Sequence, residues 1–171
     1  MKNIELKAKV NALNKLRERL VFLGVAEKSV LHQIDTYFQI KKGRLKLREI
    51  NSKEFELIYY ERPDVSESKV STYEIISFDE VQAKKIKSVL GATNGLLVTV
   101  EKERELWIYK NTRIHLDDVT DLGEYVELET VVGDISMPEA QAEHYEVMGL
   151  LELDQCEKCD VSYSDLLLKK F

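Results

Sequence analysis

Along much of this chain, charged or polar residues occupy every second position, with apolar residues between them. Asn3, Glu5, Lys7 and Lys9 alternate with Ile4, Leu6, Ala8 and Val10, and Arg44, Lys46 and Arg48 with Leu45 and Leu47. Arg113, His115 and Asp117 interleave with Ile114 and Leu116, and Glu127 and Glu129 flank Leu128. Successive side chains of a strand point to opposite faces, so each stretch has one ionic and one apolar face. A half-exposed strand alternates too, but solvation alone does not require Arg-x-Lys-x-Arg in one strand and Glu-x-Glu in another. An α+β fold with a closed, mostly antiparallel eight-stranded β-barrel turns all these faces into one charged interior and removes the sheet edges. Its apolar faces then point outward against flanking helices, so the core surrounds a tunnel.

The periodicities predict strands over 2–10, 32–40, 44–50, 54–62, 70–77, 96–109, 112–118 and 124–132, with a bend in the sixth near Leu106-Trp107. Lys41-Lys42-Gly43 reads as a tight turn. Helices are expected over 11–23, stopped by Gly24, over 79–90, capped by Asp79 and stopped by Gly91, over 138–149, opened by Pro138, and over 162–169.

At 171 residues one domain spanning 1–171 is expected. No run approaches the roughly 18 apolar residues of a membrane span, and the N-terminus lacks the apolar core of a signal peptide, so a cytoplasmic protein with no membrane partner is expected. A net charge of −6 argues against nucleic acid as a partner. It leaves room for a small anion, since a local cation cluster can dominate the field inside a cleft. Cys156 and Cys159 form one CxxC without the further ligands a zinc site needs, and read as incidental thiols.

Glu127 and Glu129 share a strand face, and with Glu5 and Asp117 they form a candidate site for a hard divalent cation such as Mg2+ or Mn2+. Solvated edge-strand acids are the plainer alternative. Arg44, Lys46 and Arg48 repel one another unless an anion offsets them, and Arg forks suit phosphate oxygens. Lys102 and Arg104 repeat the arrangement, and Lys7 follows Glu5 on the first strand. Gln33, Asp35 and Tyr37 share a face and could orient a ligand or simply satisfy one another. Ser71 and Tyr73 fall in the same class, and His115 beside Asp117 could be a base or a satisfied interior histidine. A glycine-rich phosphate loop is absent.

In order along the chain, Ile4-Glu5-Leu6-Lys7-Ala8, HQIDTYF, GRLKLRE, IYYERPD, VEKERELW, RIHLDDVTDLGEYVELE and SYSDLL resemble the CYTH superfamily, the triphosphate tunnel metalloenzymes. The resemblance is nearest to class IV adenylyl cyclases and also takes in thiamine triphosphatases. It implies a divalent-metal-dependent enzyme acting on a triphosphate, with conversion of ATP to cyclic AMP and pyrophosphate as the leading activity. Hydrolysis of thiamine or inorganic triphosphate, chemistry on an organic diphosphate such as a prenyl diphosphate, and binding without turnover are the alternatives. It places Glu5, Asp117, Glu127 and Glu129 toward metal and Arg44, Lys46, Arg48 and Arg62 on phosphates. Lys7, Lys102 and Arg104 fall at the reacting centre, with Asp35, Tyr37, Tyr73 and His115 orienting substrate. A monomer or homodimer is implied. Two positions depart from the family pattern: Asn3 stands where its first carboxylate is expected, and Glu61 where a lysine is common.

Overall fold

The computed structural model describes residues 2–61 and 69–170. Strands β1 (Lys2–Lys9), β2 (Glu27–Phe38), β3 (Arg44–Ile50), β4 (Glu54–Glu61), β5 (Lys69–Phe78), β6 (Leu96–Tyr109), β7 (Thr112–Val119) and β8 (Gly123–Val132) form one antiparallel ladder in the order β5-β4-β3-β2-β6-β7-β8-β1. β5 then returns to β1 over Asn3–Ser71, Ile4–Val70 and Glu5–Lys69. Among the described residues the ring is joined over this short seam. Further along, the free edge of β1 takes a two-residue strand, β9 (Glu157–Lys158), opposite Ala8 and Lys9.

The helices are α1 (Leu13–Phe22), α2 (Glu80–Thr93), α3 (Met137–Leu150) and α4 (Tyr163–Lys170). α2 and α3 both begin in capping boxes, Asp79 with Gln82 and Ser136 with Glu139, which satisfy N–H groups that have no partner within the helix. Gly91 does not stop α2. The helix runs past it to Thr93, and Gly95, at φ +87°, supplies the left-handed residue that turns the chain into β6. β2 starts five residues before the expected position. The irregularity beside Leu106-Trp107 is a register shift between Glu27 and Ser29 of β2, while β6 itself runs unbroken.

The apolar faces pack outward, as the alternation requires. Leu6, Ala8, Trp107, Ile114, Leu116, Val126 and Leu128 join Leu13, Leu16 and Leu20 of α1 and Val147 and Met148 of α3 in one cluster. Phe38, Leu47 and Phe55 pack with Ala83 of α2 in another. A third cluster was not expected. Tyr37, Val100, Val119 and Tyr125 meet Tyr163 and Leu167 of α4, so the C-terminal helix packs on residues that share the barrel's inner face. Cys156 borders the first cluster and Cys159 the third; both are free thiols, facing different surroundings.

α3 is held to the barrel by a buried polar chain. Thr112 donates to Glu143 (2.7 Å) and therefore accepts from Thr130 (2.9 Å), whose own oxygen accepts from His144 Nδ1–H (2.9 Å). Burial pushes the His144 imidazole down to about 4. The unfolded chain, with an ordinary imidazole near 6.5, then binds more protons between those two values, so stability falls as pH drops through that window. We expect the urea midpoint to decline between pH 6.5 and 5, above the range where most carboxylates titrate, and His144→Gln to reduce that slope by about half, the rest coming from the other buried imidazole, His115.

Candidate active site

The inward faces enclose a cavity of about 200 Å3 lined by six cations, Lys7, Lys46, Arg48, Lys102, Arg104 and Arg113, and four carboxylates, Glu5, Asp35, Glu127 and Glu129. Antiparallel register brings them together, because cross-strand partners share a face. Glu5 lies opposite Glu129 and Lys7 opposite Glu127 on β1–β8, and Glu127 lies opposite His115 on β7–β8. Asp35 opposes Arg48 on β2–β3, and Arg104 opposes Asp117 on β6–β7.

Two ionic knots divide the cavity. In the first, Asp35, 2% exposed, accepts from Lys46 Nζ (2.7 Å) and from Arg48 Nε and a terminal nitrogen (2.7 and 2.8 Å), with Lys102 Nζ at 3.8 Å. Burial alone would raise the Asp35 carboxyl, but Arg48, Lys46 and Lys102 hold it well below the usual carboxylate range. The lysines are strained in the opposite sense. Burial and the Arg48 charge push Lys46 down to about 8, and burial and Arg104 push Lys102 down to about 7. An arriving phosphate would favour the charged form of both.

In the second knot Arg104 forks onto Asp117 at 2.6 Å to each oxygen and also reaches Glu127, which meets Lys7 at 3.0 Å. Burial raises the Glu127 carboxyl, yet Lys7 and Arg104 win and hold it well below the ordinary value. Asp117 is fully buried and accepts a further hydrogen bond from Tyr163 (2.8 Å). One terminal nitrogen of Arg104 donates to both Asp117 and Glu127, so Asp117 stands beside a carboxylate of the cavity and fixes Arg104 against it.

A second carboxylate-rich set adjoins this knot. One ligand-capable atom each of His115, Glu127 and Glu129 lie within 4.8 Å of one another. His115 is 6% exposed and its Nδ1 has no hydrogen-bond partner, and Asn3 Oδ1 is likewise buried and unpartnered. Burial and the Arg104 charge push the His115 imidazole down to about 3, which leaves it neutral and able to ligate. Two carboxylates and a neutral imidazole whose Nδ1 is desolvated without a partner fit a divalent cation.

The remaining expected site residues fall in three places. Tyr37 lines the cavity, hydrogen-bonded to Tyr60. Arg44 is turned to α4, pairing with Asp165 at 2.7 Å, and lines a groove next to the main cavity. Arg62 lies outside the described residues, as do the side chains of Ser71 and Tyr73. Glu61 is exposed and pairs with Lys42 and Tyr59 on the outer face, so its departure from the family pattern falls outside the tunnel.

Sequence reasoning missed three features. Tyr60 faces inward with Ile58 and Ile75, while its neighbour Tyr59 lies on the outer face with Glu61. The parity of β4 carries that signal, since Arg48 opposes Glu56, and Ile58 and Tyr60 follow on the same face. Arg113 lines the cavity, as its place in the alternation with His115 and Asp117 indicates. Ser162 and Tyr163 enter from the C-terminal segment, with Lys7 Nζ donating to Val161 O (3.3 Å) and lying 3.9 Å from the Tyr163 ring centre. No periodicity announces that last contact, which joins residues more than 150 positions apart.

The fold and its lining together make a β-barrel whose interior interleaves cations and carboxylates. The chain belongs to the CYTH domain family, whose sequence model matches residues 1–163. Comparison with curated proteins finds no significant match. Among solved structures, a protein of Pyrococcus horikoshii OT3 is similar with a TM-score of 0.82 at 20% identity, over 96% of this chain and 98% of that one. A candidate adenylate cyclase of Vibrio parahaemolyticus gives 0.72 at 14% identity, over 97% of both chains. A candidate adenylyl cyclase of Hippeastrum, described as having a dominant triphosphatase activity, gives 0.70 at 13%, over 99% of this chain and 95% of that one. At these identities the likeness is one of fold.

Proposed function

We propose that this chain is a divalent-metal-dependent enzyme acting on a triphosphate that carries an organic group, with cyclisation of ATP to cyclic AMP and pyrophosphate as the leading reaction. The observation that carries this reading is a single cavity in which six cations face four carboxylates. Lys46, Arg48 and Lys102 would hold phosphate oxygens now mimicked by Asp35, and Lys7 and Arg104 would offset charge developing beside Glu127. A divalent ion held by Glu127, Glu129 and their neighbours would polarise the phosphate. In the cyclase reaction the ribose 3′-hydroxyl attacks the α-phosphorus, its proton is lost and pyrophosphate leaves. Lys102, whose amine lies near neutrality, can exchange a proton at Nζ close to the reacting groups.

Terminal-phosphate hydrolysis is the second reading, and the size of the cavity favours it. About 200 Å3 is below the 300–1,000 Å3 of pockets that enclose a whole drug-sized ligand, so the enclosed part would be the phosphate chain. The organic group would then rest against Tyr60, Ile58 and Ile75, the last 46% exposed.

The test incubates the protein with Mg2+ or Mn2+ and, separately, ATP, thiamine triphosphate, tripolyphosphate and prenyl diphosphates, and identifies products by mass. Cyclic AMP with pyrophosphate is the expected result. Orthophosphate with a nucleoside or thiamine diphosphate selects hydrolysis. Turnover of none of them, with binding intact, overturns an enzymatic role.

A further inference from the structure

We infer that His115 is itself a metal ligand, and that with Glu127 and Glu129 it forms a mixed nitrogen–oxygen site that takes a divalent transition ion, with Mn2+ as its probe, in preference to Mg2+. This rests on the metal-dependent reading above and adds to it the identity of a donor and the class of ion. The three residues come from facing positions of two neighbouring strands, Glu127 directly opposite His115 and Glu129 opposite Arg113. Their ligand-capable atoms lie within 4.8 Å of one another. Donors bound to one ion at about 2.1 Å lie about 3 Å apart when adjacent and about 4.2 Å when opposed, so small side-chain adjustments close the set.

The independent observation is the state of the imidazole. His115 is 6% exposed, and its Nδ1 has no hydrogen-bond partner. Its nearest acidic atom is Glu129 Oε1, at 3.9 Å. That is too long for a hydrogen bond and leaves the gap an ion would bridge. A histidine placed here only to satisfy the interior would close on Glu129 at hydrogen-bond distance; instead a desolvated, unpartnered Nδ1 stands 3.9 Å from that carboxylate. Asn3, 2% exposed with its Oδ1 also unpartnered, lines the cavity that Glu127 and Glu129 share, with Glu5 opposite Glu129.

The choice of ion follows from the donors. Mg2+ demands oxygen ligands and near-ideal octahedral geometry and gives up water reluctantly, whereas imidazole suits the first-row transition ions. A site with two carboxylates and one imidazole thus gains little for Mg2+ from His115 and more for a transition ion.

The experiment strips the full chain with EDTA, dialyses it, and titrates it with Mn2+ and separately Mg2+ by calorimetry, without any phosphate compound present. Electron spin-echo spectroscopy of the Mn2+-loaded protein then reads directly coordinated nitrogen. The expected result is one Mn2+ per chain with a nitrogen coupling, bound more tightly than Mg2+. His115→Gln should remove the coupling and weaken Mn2+ about tenfold or more while changing Mg2+ little. Mn2+ bound without nitrogen coupling in the unaltered chain overturns the inference, and that measurement needs no variant to fold. So does Mn2+ binding that requires a triphosphate, or a His115→Gln variant that weakens both ions equally. Each of those results leaves metal-dependent turnover standing. Conversely, nitrogen-coordinated Mn2+ in a chain that converts none of the phosphate substrates sinks the enzymatic reading and leaves this one in place.

Discussion

Glu127→Gln is expected to cut turnover of the chain's triphosphate substrate by at least about 100- to 1,000-fold, the range seen when one charge-stabilising group is removed from a reacting centre. Glu127 stands where the two halves of the cavity meet: it holds Lys7 at 3.0 Å, shares Arg104 with Asp117, and belongs to the His115–Glu129 set. The amide keeps the shape and can still accept from one cation but loses the charge that draws in a metal. Stability should suffer much less, by about 1–2 kcal/mol. Arg104 retains both oxygens of Asp117, and Lys7 retains the Val161 carbonyl and the Tyr163 ring. Steady-state kinetics beside a urea melt separate the two effects. A variant that folds and turns over within a few-fold of the unaltered chain would move the chemistry out of this cavity. Lys7→Met combined with Glu127→Gln should lose less than the product of the two single losses, since the groups act on one another directly.

What could be read in advance was whatever depends on parity. Once residues 2–9, 44–50 and 112–119 are strands, alternation assigns Glu5, Lys7, Lys46, Arg48, His115 and Asp117 to one face, and closing the sheet makes that face an interior. Which inward residues hold one another was not legible, because it depends on register between strands far apart in the chain. Asp35 looks like an orienting residue in HQIDTYF and proves to be the counter-ion of three cations from β3 and β6. Asp117 and Glu127 look equivalent by charge, and the register is what makes both of them partners of Arg104. Apolar residues on an ionic face were overlooked for the opposite reason. Ile58 and Ile75 carry no signal of a site, although they line the same cavity. The C-terminal helix was expected, but its docking against Tyr37 and Tyr125 rests on a tertiary contact that no local pattern encodes.

Asp35→Asn is expected to destabilise the fold by about 3 kcal/mol, the lower end of the cost of leaving buried charge unpaired. Three cations converge on this one carboxylate: Lys46, Arg48 and, at 3.8 Å, Lys102. The lower end applies because two of the three have an escape. Lys46 lies near 8 and Lys102 near 7 already, and without Asp35 both can shed a proton, whereas Arg48 cannot. The pH dependence carries the sign of each group. Asp35 is held below its unfolded value of about 3.9, so the stability it contributes is present above that value and lost as pH falls below it. The variant should lack that acid limb. The lysines titrate lower in the folded chain than in the unfolded one, so stability rises with pH from about 7 toward 10, more steeply in the variant than in the unaltered chain. Tripolyphosphate should reverse the loss. In the unaltered chain a phosphate must compete with Asp35 for its three cations, but in Asp35→Asn it meets them unpaired. The thermal shift at a fixed anion concentration should therefore be larger in the variant, growing by about 1.4 kcal/mol for each tenfold gain in affinity. An equal shift in both proteins would mean that phosphates bind away from Lys46, Arg48 and Lys102.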